Sequence, residues 1–480
     1  MDSPADIEHV IVLMLENRSF DCMLGRLYPS GPGFAGVPDS ASNPFQRSDG
    51  IVAVPAWTSA SVDPAAAVIP DPDPGEDFTD MNEQLFGAGQ ARSDGRPPMS
   101  GFVANYLAQA PGDTPHDAHA VMHGYTPQQL PVLSQLAAAF GVCDQWHASA
   151  PCQTWPNRFF AHTGTCMGHV NNRDFPIPFE APSIFGRMSD CDRSWRVYFH
   201  DVPQSIMLGD VWYRSFLHYR LFGQFLADAQ CGDLPNYSFI EPRYFADLNL
   251  GVPNDQHPPH SVLPGEKLIA DVYNAVRNSP CWKQALLVIT YDEHGGCYDH
   301  VAPPQAAPPD GAQGPGGFAF DRYGVRVPAV IVSPYVRPGS IVRAAAAGMA
   351  FDAPPYPFDH TSIIATLRRL FVLGAPLTDR DRVAPDLLGA LSLAQPSNDG
   401  PARVTPGAAP DDPDALRALA QAAPNNHQGA LSQMARSLPP SPQAAADAPA
   451  PAPPPADGGF ATVIEAGTDA IARVRSFLGL

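Results

Sequence analysis

Two continuous apolar runs place the tightest constraint on how this chain can fold. Val10 to Leu15 and Ala285 to Ile289 are apolar throughout, without the alternation of a strand that faces water on one side. Uninterrupted runs of this length are typical of parallel strands buried on both faces of a sheet. Val327 to Val332 forms a third run of the same kind. Because such strands need helices on both sides, the runs predict an α/β fold with a mainly parallel central sheet.

Helical patterns alternate with the apolar runs, which supports this fold class. The clearest are Leu130 to Phe140, Gly265 to Asn278 and Thr361 to Phe371. Residues 29–100 are instead rich in proline, glycine, aspartate and serine. Proline breaks helices and strands, so we expect many of the 56 prolines to lie in long loops around the sheet.

The composition changes after residue 395, where alanine, proline, asparagine and glutamine dominate. Between Pro439 and Pro455, eight of 17 residues are proline and six are alanine, which predicts an extended, semi-rigid tether. The residues beyond it place their apolar side chains on one helical face. We therefore predict a main domain over 1–395, an Ala/Pro-rich linker over 396–458 and an amphipathic C-terminal helix over 459–480.

Charge and composition exclude several classes of protein. The chain has 29 lysines and arginines against 49 acidic residues, a net charge of −20, which disfavours binding to nucleic acid or to anionic membranes. Its eight cysteines form no C-x-x-C pair, so neither a structural zinc site nor a disulfide framework is expected. No apolar run is long enough to span a membrane, and the N-terminus lacks the basic region of a signal peptide. We expect a soluble protein, either cytoplasmic or exported by a route that needs no signal peptide.

Acidic and amide side chains begin within three residues of the end of each of the first two apolar runs. Glu16 and Asn17 close the first run, and Asp292 and Glu293 close the second. In parallel sheets, ligands bind outside the carboxyl ends of the strands. Four oxygen-bearing side chains at this edge predict a single divalent cation, with Ca²⁺, Mg²⁺ or Mn²⁺ favoured over Zn²⁺. The alternative is that these residues only cap helices or turns.

Thr154 and several histidines are the remaining candidates for chemistry. Thr154 precedes a predicted helix with Pro156 in its first turn, so it is either an ordinary N-cap or a hydroxyl facing a phosphate at the helix N-terminus. His200, His257 and His360 lie at strand ends or in proline-rich turns, and each can equally be a core or surface residue. The chain has no lipase elbow, P-loop, zinc-protease or dinucleotide-binding motif.

The identity and order of seven short motifs resemble one known family. The motifs are Glu16 to Asp21, Thr154 to Arg158, His162 to Thr165, His257 to Pro259, Tyr291 to Val301, Tyr323 to Pro328 and Asp359 to Ser362. Together they resemble the bacterial phosphoesterase family, which includes phosphatidylcholine-type phospholipase C and the AcpA-like acid phosphatases. The resemblance covers roughly residues 5–385 and implies an alkaline-phosphatase-like core with phosphoric ester hydrolase activity.

The resemblance also implies roles for the candidate residues. It assigns the metal to Glu16, Asn17, Asp292, Glu293 and the Thr154 oxygen. Thr154 would attack phosphorus and form a phospho-threonine intermediate. His257 and His200 would bind phosphoryl oxygens or donate a proton to the leaving group.

Three further motif residues are expected to bind substrate: Glu76, Asn157 and His360. Glu76 stands where some members of the family carry histidine, so it represents a departure from the family pattern. His294 is a second departure, because some relatives have asparagine after the Asp-Glu pair.

Three functions follow from these observations, in order of preference. The first is a phospholipase C acting on phosphatidylcholine-type lipids, with transient contact at a membrane surface. The second is a broad-specificity acid phosphatase or phosphodiesterase acting on small phosphate esters. The third, from a different class, is an interaction protein that acts through its C-terminal helix, which could also form a homo-oligomer.

Overall fold

The computed structural model describes residues 6–59, 64–87, 95–109, 117–173, 175–344, 356–407, 412–439 and 460–480. In these ranges the strands are β1 (His9–Leu15), β2 (Ser42–Arg47), β3 (Gly50–Pro55), β4 (Gly141–Cys143), β5 (Trp195–Phe199), β6 (Tyr219–Leu221), β7 (Tyr237–Glu241), β8 (Ala285–Tyr291), β9 (Ala329–Val332) and β10 (Ser340–Ile341). The helices are α1 (Phe20–Met23), α2 (Phe78–Phe86), α3 (Phe102–Ala108), α4 (Pro131–Ala139), α5 (Thr154–Thr163), α6 (Ile184–Asp190), α7 (Ser215–His218), α8 (Phe222–Cys231), α9 (Val262–Arg277), α10 (Thr361–Phe371), α11 (Asp379–Val383), α12 (Pro413–Gln421), α13 (Asn426–Ser437) and α14 (Val463–Leu478).

Eight strands form one sheet in the order β10-β4-β9-β8-β1-β7-β5-β6, and β2 and β3 form a separate hairpin. The sheet is parallel except for β9, which runs antiparallel to both of its neighbours. The mainly parallel α/β core is therefore confirmed. The third apolar run contains β9, which was expected to be parallel and is antiparallel. The apolar pattern could not reveal the direction, because a strand buried on both faces is apolar in either orientation.

The register of the central strands determines where the site lies. Leu15 pairs with Tyr291 in the parallel ladder of β1 and β8. The next residues, Glu16 and Asp292, therefore leave the sheet side by side at the same edge. β7 pairs with β1 on its other side and ends at Glu241. Three carboxylates from three adjacent strands are thus brought to one end of the sheet.

The N-terminus of α4 has no side-chain cap of its own and is capped by a residue of α9. The first turn of α4 follows Leu130, which cannot cap it. Glu266 of α9 instead accepts the backbone N–H groups of Val132 at 2.6 Å and Leu133 at 3.0 Å. A carboxylate at this position satisfies free N–H donors and faces the positive end of the helix dipole. Burial raises the pKa of Glu266 to about 7.

The region after residue 395 contains more structure than its composition predicts. Helices α12 and α13 both lie inside the segment 396–458, which was expected to be a linker. Each begins with a side-chain cap, from Asp412 and Asn425 respectively. Of the predicted tether between Pro439 and Pro455, residues 440–455 fall outside the described residues. The C-terminal helix is present as α14, whose apolar face is buried.

Two findings bear on the expectations drawn from cysteine content and hydropathy. All eight cysteines are free thiols. Among the described residues, no helix combines the length and the apolar character needed to cross a bilayer.

Candidate active site

Thr154 is the first residue of α5, and Gln153 occupies the N-cap position. The Thr154 hydroxyl is therefore not used to cap its own helix. Its Oγ1 lies 3.4 Å from Glu16 Oε2 and 3.4 Å from Asn17 Oδ1, both at the end of β1. All three residues are fully buried. The structure thus brings Thr154 beside the first pair of predicted metal ligands.

Arg158 lies one turn further along α5 and joins the two acidic strand ends. Its Nη2 is 2.7 Å from Glu16 Oε1, and its Nε donates to Asp292 Oδ2 at 3.1 Å. Gln204 Nε2 also donates to Glu16 Oε1, at 2.8 Å. These contacts engage one oxygen of each carboxylate. The other oxygen of Glu16, Oε2, remains directed towards Thr154.

The pair that follows β8 is held by backbone donors. Asp292 Oδ1 accepts the N–H of Asn17 at 3.0 Å and that of Glu293 at 2.7 Å. Glu293 Oε2 accepts the N–H of Gly295 at 2.7 Å. Glu293 Oε1 is buried and has no hydrogen-bond partner among the described residues. A fully buried carboxylate oxygen with no donor indicates that a cation or another ligand belongs at this position.

The backbone conformations of two residues shape the loops that carry these groups. Asn17 has a φ of 53°, a left-handed conformation that asparagine adopts more readily than most other non-glycine residues. Gly295 has a φ of 60°, and a Cβ atom there would lie 2.1 Å from the Asn17 carbonyl oxygen. The loop after β8 can therefore pass this close to the loop after β1 only because residue 295 has no side chain.

The electrostatics of the cluster fit a divalent cation. Burial raises the pKa of Asp292 well above its usual range, and the nearby Glu16 carboxylate adds to this effect. Burial also raises the pKa of Glu293, reinforced by Glu76. Burial alone would raise the pKa of Glu16 too, but Arg158 holds it well below its usual range. The raised pKa values mean that burial and mutual repulsion disfavour the charged forms of Asp292 and Glu293, and a cation held by their oxygens would favour those charged forms.

His257 belongs to a second acidic cluster at the same edge. Its Nε2 lies 3.5 Å from Glu76 Oε1, and its Nδ1 lies 3.7 Å from Asp73 Oδ1. Asn17 Nδ2 donates to the same Glu76 oxygen at 2.7 Å, which links this cluster to the first. Burial would lower the pKa of His257, but Glu76 and Asp73 raise it well above its usual value. Asp73, Glu76 and His257 also present three candidate metal-binding atoms within 4.8 Å of one another.

His360 is placed behind the cluster, not at its surface. Its Nε2 lies 2.6 Å from the Asp292 carbonyl oxygen, and its Nδ1 accepts the Trp146 indole N–H at 3.2 Å. This arrangement requires a neutral ring that donates from Nε2, consistent with burial lowering the pKa to about 4. His360 therefore positions Asp292. Its geometry does not support the expected direct contact with substrate, because both ring nitrogens are already engaged.

Two other predicted residues are also placed differently from the expectation. The Asn157 amide is saturated by the loop before α5, accepting from Ala150 N and donating to the carbonyls of Ala150, Cys152 and Gln153. It shapes the turn that presents Thr154 and has no donor left for substrate. His200 stacks on Phe222 and bonds the Glu241 carbonyl at 3.1 Å. None of these contacts joins it to Thr154, because its side chain leaves β5 towards α8.

Sequence reasoning gave no role to two residues that lie within the cluster. Arg158 closes the motif Thr154 to Arg158. Residues four apart share a helix face, so this spacing could have predicted that Arg158 lies on the same side of α5 as Thr154. His427 lies in the segment expected to be a linker, yet its Nδ1 is 3.3 Å from Glu16 Oε2.

Comparison with known proteins gives the class of this protein. The sequence profile of the Phosphoesterase family matches residues 7–374, and this chain belongs to that family. It is 39% identical over 386 residues to the non-specific phospholipase C1 of Arabidopsis thaliana, covering 78% of this chain and 69% of that relative. The non-specific phospholipase C6 of the same plant is 38% identical over 446 residues, or 90% of this chain and 81% of the relative. The family expected from the motifs is confirmed, and the protein is a phosphoric ester hydrolase.

Similarity extends further at lower identity. The phospholipase C A of Mycobacterium tuberculosis is 29% identical over 451 residues, covering 82% of this chain and 78% of the relative. A solved structure from Vibrio parahaemolyticus in the alkaline phosphatase superfamily matches 54% of this chain and 63% of that chain, with 11% identity and a TM-score of 0.33. The structure of the lipoteichoic acid synthase LtaP of Listeria monocytogenes matches 56% of this chain and 70% of that chain, with 14% identity and a TM-score of 0.34.

Proposed function

We propose that Thr154 is the nucleophile of a metal-dependent phosphoester hydrolase. The observation that carries this proposal is the position of Thr154 Oγ1, which is buried and 3.4 Å from both Glu16 Oε2 and Asn17 Oδ1. A threonine hydroxyl is a weak nucleophile until a base or a cation activates it. The N-terminus of α5 adds the positive end of a helix dipole beside the hydroxyl, which favours a phosphoryl group there.

The residues that would hold the cation are Glu16, Asn17, Thr154, Asp292 and Glu293. All of them offer oxygen atoms, which favours Ca²⁺, Mg²⁺ or Mn²⁺ over Zn²⁺. When bound, such a cation would activate the threonine oxygen and stabilise negative charge on the phosphoryl oxygens. The unpartnered Oε1 of Glu293 supports this assignment.

The reaction divides into two displacements at phosphorus. In the first, the Thr154 hydroxyl gives its proton to Glu16 Oε2, a bond forms between Thr154 Oγ1 and phosphorus, and the bond to the leaving oxygen breaks. His257 is proposed to donate a proton from Nε2 to that oxygen, because Glu76 and Asp73 favour its charged form. In the second, water attacks phosphorus and gives a proton to His257, and the bond to Thr154 breaks as Oγ1 takes its proton back from Glu16. Glu76 acts here by holding His257 and Asn17.

We propose a phosphatidylcholine-type phospholipid as the substrate, with the diacylglycerol oxygen as leaving group. The relatives named as phospholipases C support this choice. A buried acidic cluster would also suit a cationic choline head group better than an anionic one. Contact with a membrane surface would then be transient and made by the loops around the entrance.

The nucleophile is tested with Thr154→Ala and Thr154→Ser. Thr154→Ala is expected to lose hydrolysis of both p-nitrophenyl phosphate and p-nitrophenylphosphorylcholine, with the melting temperature retained. Thr154→Ser keeps a hydroxyl and should retain partial activity. Acid quench during turnover followed by mass spectrometry should find one phosphoryl group on the peptide containing Thr154. Wild-type turnover by Thr154→Ala would show that another residue is the nucleophile.

A small phosphate ester is the second candidate substrate, and one observation favours it. Thr154 and Glu16 are fully buried, so a compact monoester can reach them more easily than a lipid in a bilayer. Rates on p-nitrophenyl phosphate and on phosphatidylcholine vesicles, measured with the same preparation, separate the two. A clear preference for the monoester would favour the phosphatase.

The third function, docking through the C-terminal helix, receives less support from the structure. The apolar face of α14 is already occupied by the chain's own residues, including Phe245 against Gly467 and Trp212 at 5.7 Å from the Phe477 ring. We therefore propose that α12, α13 and α14 belong to the catalytic unit formed by residues 1–395.

A further inference from the structure

Helices α13 and α14 form a pair, here called the C-terminal hairpin, that packs against the loop after β7. Gln428 Nε2 donates to the Tyr244 carbonyl at 2.8 Å. Gly467 lies so close to Phe245 that an added Cβ would be 2.8 Å from the Phe245 Cβ. Leu431 and Val474 are completely buried. The hairpin is therefore anchored beside the carboxyl ends of the central strands, where the candidate active site lies.

His427, the second residue of α13, points from the hairpin into this site. Its ring stacks on Tyr244, with centroids 5.3 Å apart and planes 24° from parallel. Its Nδ1 lies 3.3 Å from Glu16 Oε2, the same oxygen that lies 3.4 Å from Thr154 Oγ1. The His257 ring is 5.9 Å away. His427 thus shares the immediate surroundings of the proposed nucleophile.

The surroundings of His427 leave one of its ring nitrogens without a partner. The residue is only 4% exposed. Its Nδ1 faces Glu16 Oε2, whereas its Nε2 has no hydrogen-bond partner in the described part of the chain. Burying an unpaired imidazole nitrogen is unfavourable. An apolar ring would fill this position without that cost, so Nε2 indicates a ligand that binds next to His427.

A cavity connects the hairpin with the segment that carries Thr154. It has a volume of about 590 Å³, large enough for the head group and glycerol portion of a phospholipid. Residues adjacent in sequence to both proposed partners line it, namely Gln153 beside Thr154 and Asn426 beside His427. Other lining residues are Asn172, Arg173, Gln433 and Phe460. The hairpin therefore forms one wall of a cavity that reaches Gln153, the residue before Thr154.

We propose that His427 binds a phosphoryl oxygen of the substrate, so that the C-terminal hairpin completes the active site. The proposal rests on the assignment of Thr154 as the residue that accepts the phosphoryl group. His427 would donate a hydrogen bond from a ring nitrogen to an oxygen that carries charge as phosphorus is attacked. Two competing roles use the same position: a plug that must withdraw before substrate enters, and a ligand of the cation itself.

The test compares His427→Ala, His427→Asn and the wild-type protein, each loaded with the divalent cation that best supports wild-type turnover. Ser437→Ala, an exposed position on the same helix, is the matched control. The probes are inorganic phosphate, whose affinity is measured by calorimetry, and p-nitrophenyl phosphate, whose hydrolysis gives kcat and KM. Cation affinity and melting temperature are measured on the same samples.

If His427 binds the phosphoryl group, His427→Ala should weaken phosphate binding and lower kcat/KM by about ten- to a hundredfold, the usual effect of losing a hydrogen bond to a charged group. Cation affinity should be unchanged. His427→Asn keeps an N–H donor in a smaller side chain, so its phosphate affinity and kcat/KM should lie between those of His427→Ala and the wild type. If the alanine variant is unstable, His427→Asn provides the test. Ser437→Ala should match the wild type.

Three results would overturn the proposal. Unchanged phosphate affinity and kcat/KM would show that His427 does not reach the substrate. Higher activity in His427→Ala would identify the side chain as a plug. Loss of cation binding would make it a metal ligand. Failure of the underlying function is recognised separately, because Thr154→Ala would then still hydrolyse p-nitrophenyl phosphate.

Discussion

Arg158 Nη2 lies 2.7 Å from Glu16 Oε1, and both side chains are sealed from solvent. This pair determines which oxygen of Glu16 is free for chemistry. Since Oε1 is engaged by the guanidinium, Oε2 is the atom directed at Thr154 and His427. The same guanidinium holds Asp292 at 3.1 Å. One arginine on α5 therefore aligns the ends of β1 and β8.

Replacing Arg158 should damage both stability and activity. Arg158→Ala leaves Glu16 and Asp292 buried without their shared cation, and removing one partner of such a pair costs about 3–5 kcal/mol. Urea unfolding measures this loss. Arg417→Ala is the control, because its ion pair with Asp414 is exposed and surface changes of this kind stay within about 0.5 kcal/mol. Equal stability of the two variants would contradict the proposed role of Arg158.

Removing and restoring the cation should change the stability of the protein as well as its activity. Chelation is expected to abolish turnover, and Ca²⁺, Mg²⁺ or Mn²⁺ should restore it. A ligand present at a hundred times its dissociation constant stabilises the native state by about 2.7 kcal/mol, so the melting temperature should rise on addition of the cation.

Glu293→Gln tests whether this shift arises at the proposed site. The variant should lose most of the cation-dependent rise in melting temperature, yet be at least as stable as the wild type without cation, because an uncompensated buried carboxyl has been removed. Glu8→Gln, at an exposed position before β1, should show the full rise. Full activity of the metal-free enzyme would refute the metal site altogether.

Substitution of His360 should lower activity or cation affinity, whereas substitution of His200 should not. His360→Phe removes the contact to the Asp292 carbonyl, and losing a residue that positions a metal ligand typically lowers activity or metal affinity about ten- to a hundredfold. His200→Phe should change neither property appreciably, because its contacts go to Phe222 and the Glu241 carbonyl. Steady-state kinetics and cation titration of both variants measure these effects. A large loss of kcat with His200→Phe would restore its catalytic assignment.

Glu266 should make stability depend on pH. Its pKa is raised by burial from 4.5 to about 7 in the folded chain, so the folded state holds the proton more tightly than the unfolded state. Stability from this group is fully present below pH 4.5 and is lost as the pH rises through 7. The change amounts to about 3 kcal/mol. The urea midpoint of Glu266→Gln should change less with pH than that of the wild type. An identical change in both proteins would exclude this carboxyl as the source.

The strand ends were predictable from the sequence because they depend on local patterns. An apolar run predicts a buried strand, and Glu16 and Asp292 directly follow the strands β1 and β8 that these runs form. Thr154 could be recognised as a helix start, but its 3.4 Å approach to Glu16 results from how α5 packs on the sheet. No periodicity in the sequence encodes such a contact.

The role of the hairpin was missed for a different reason. The alanine- and proline-rich composition after residue 395 concealed two helix starts that local rules can detect. Asn425 and Gln428 form a capping box, and Asp412 with Pro413 is an N-cap followed by proline. These signals predict α12 and α13, but the contact between His427 and Tyr244 joins residues far apart in the chain and is visible only in three dimensions.

The position of β1 has a consequence for biosynthesis. β1 lies between β7 and β8, and Val10 pairs with Tyr237 and Leu286. A chain emerging from the ribosome therefore presents an apolar segment whose two partners have not yet been translated, and the hairpin that carries His427 emerges later still. Such long-range pairing is slow to form and leaves apolar surface exposed meanwhile. The growing polypeptide consequently needs shielding from aggregation until β8 has been made.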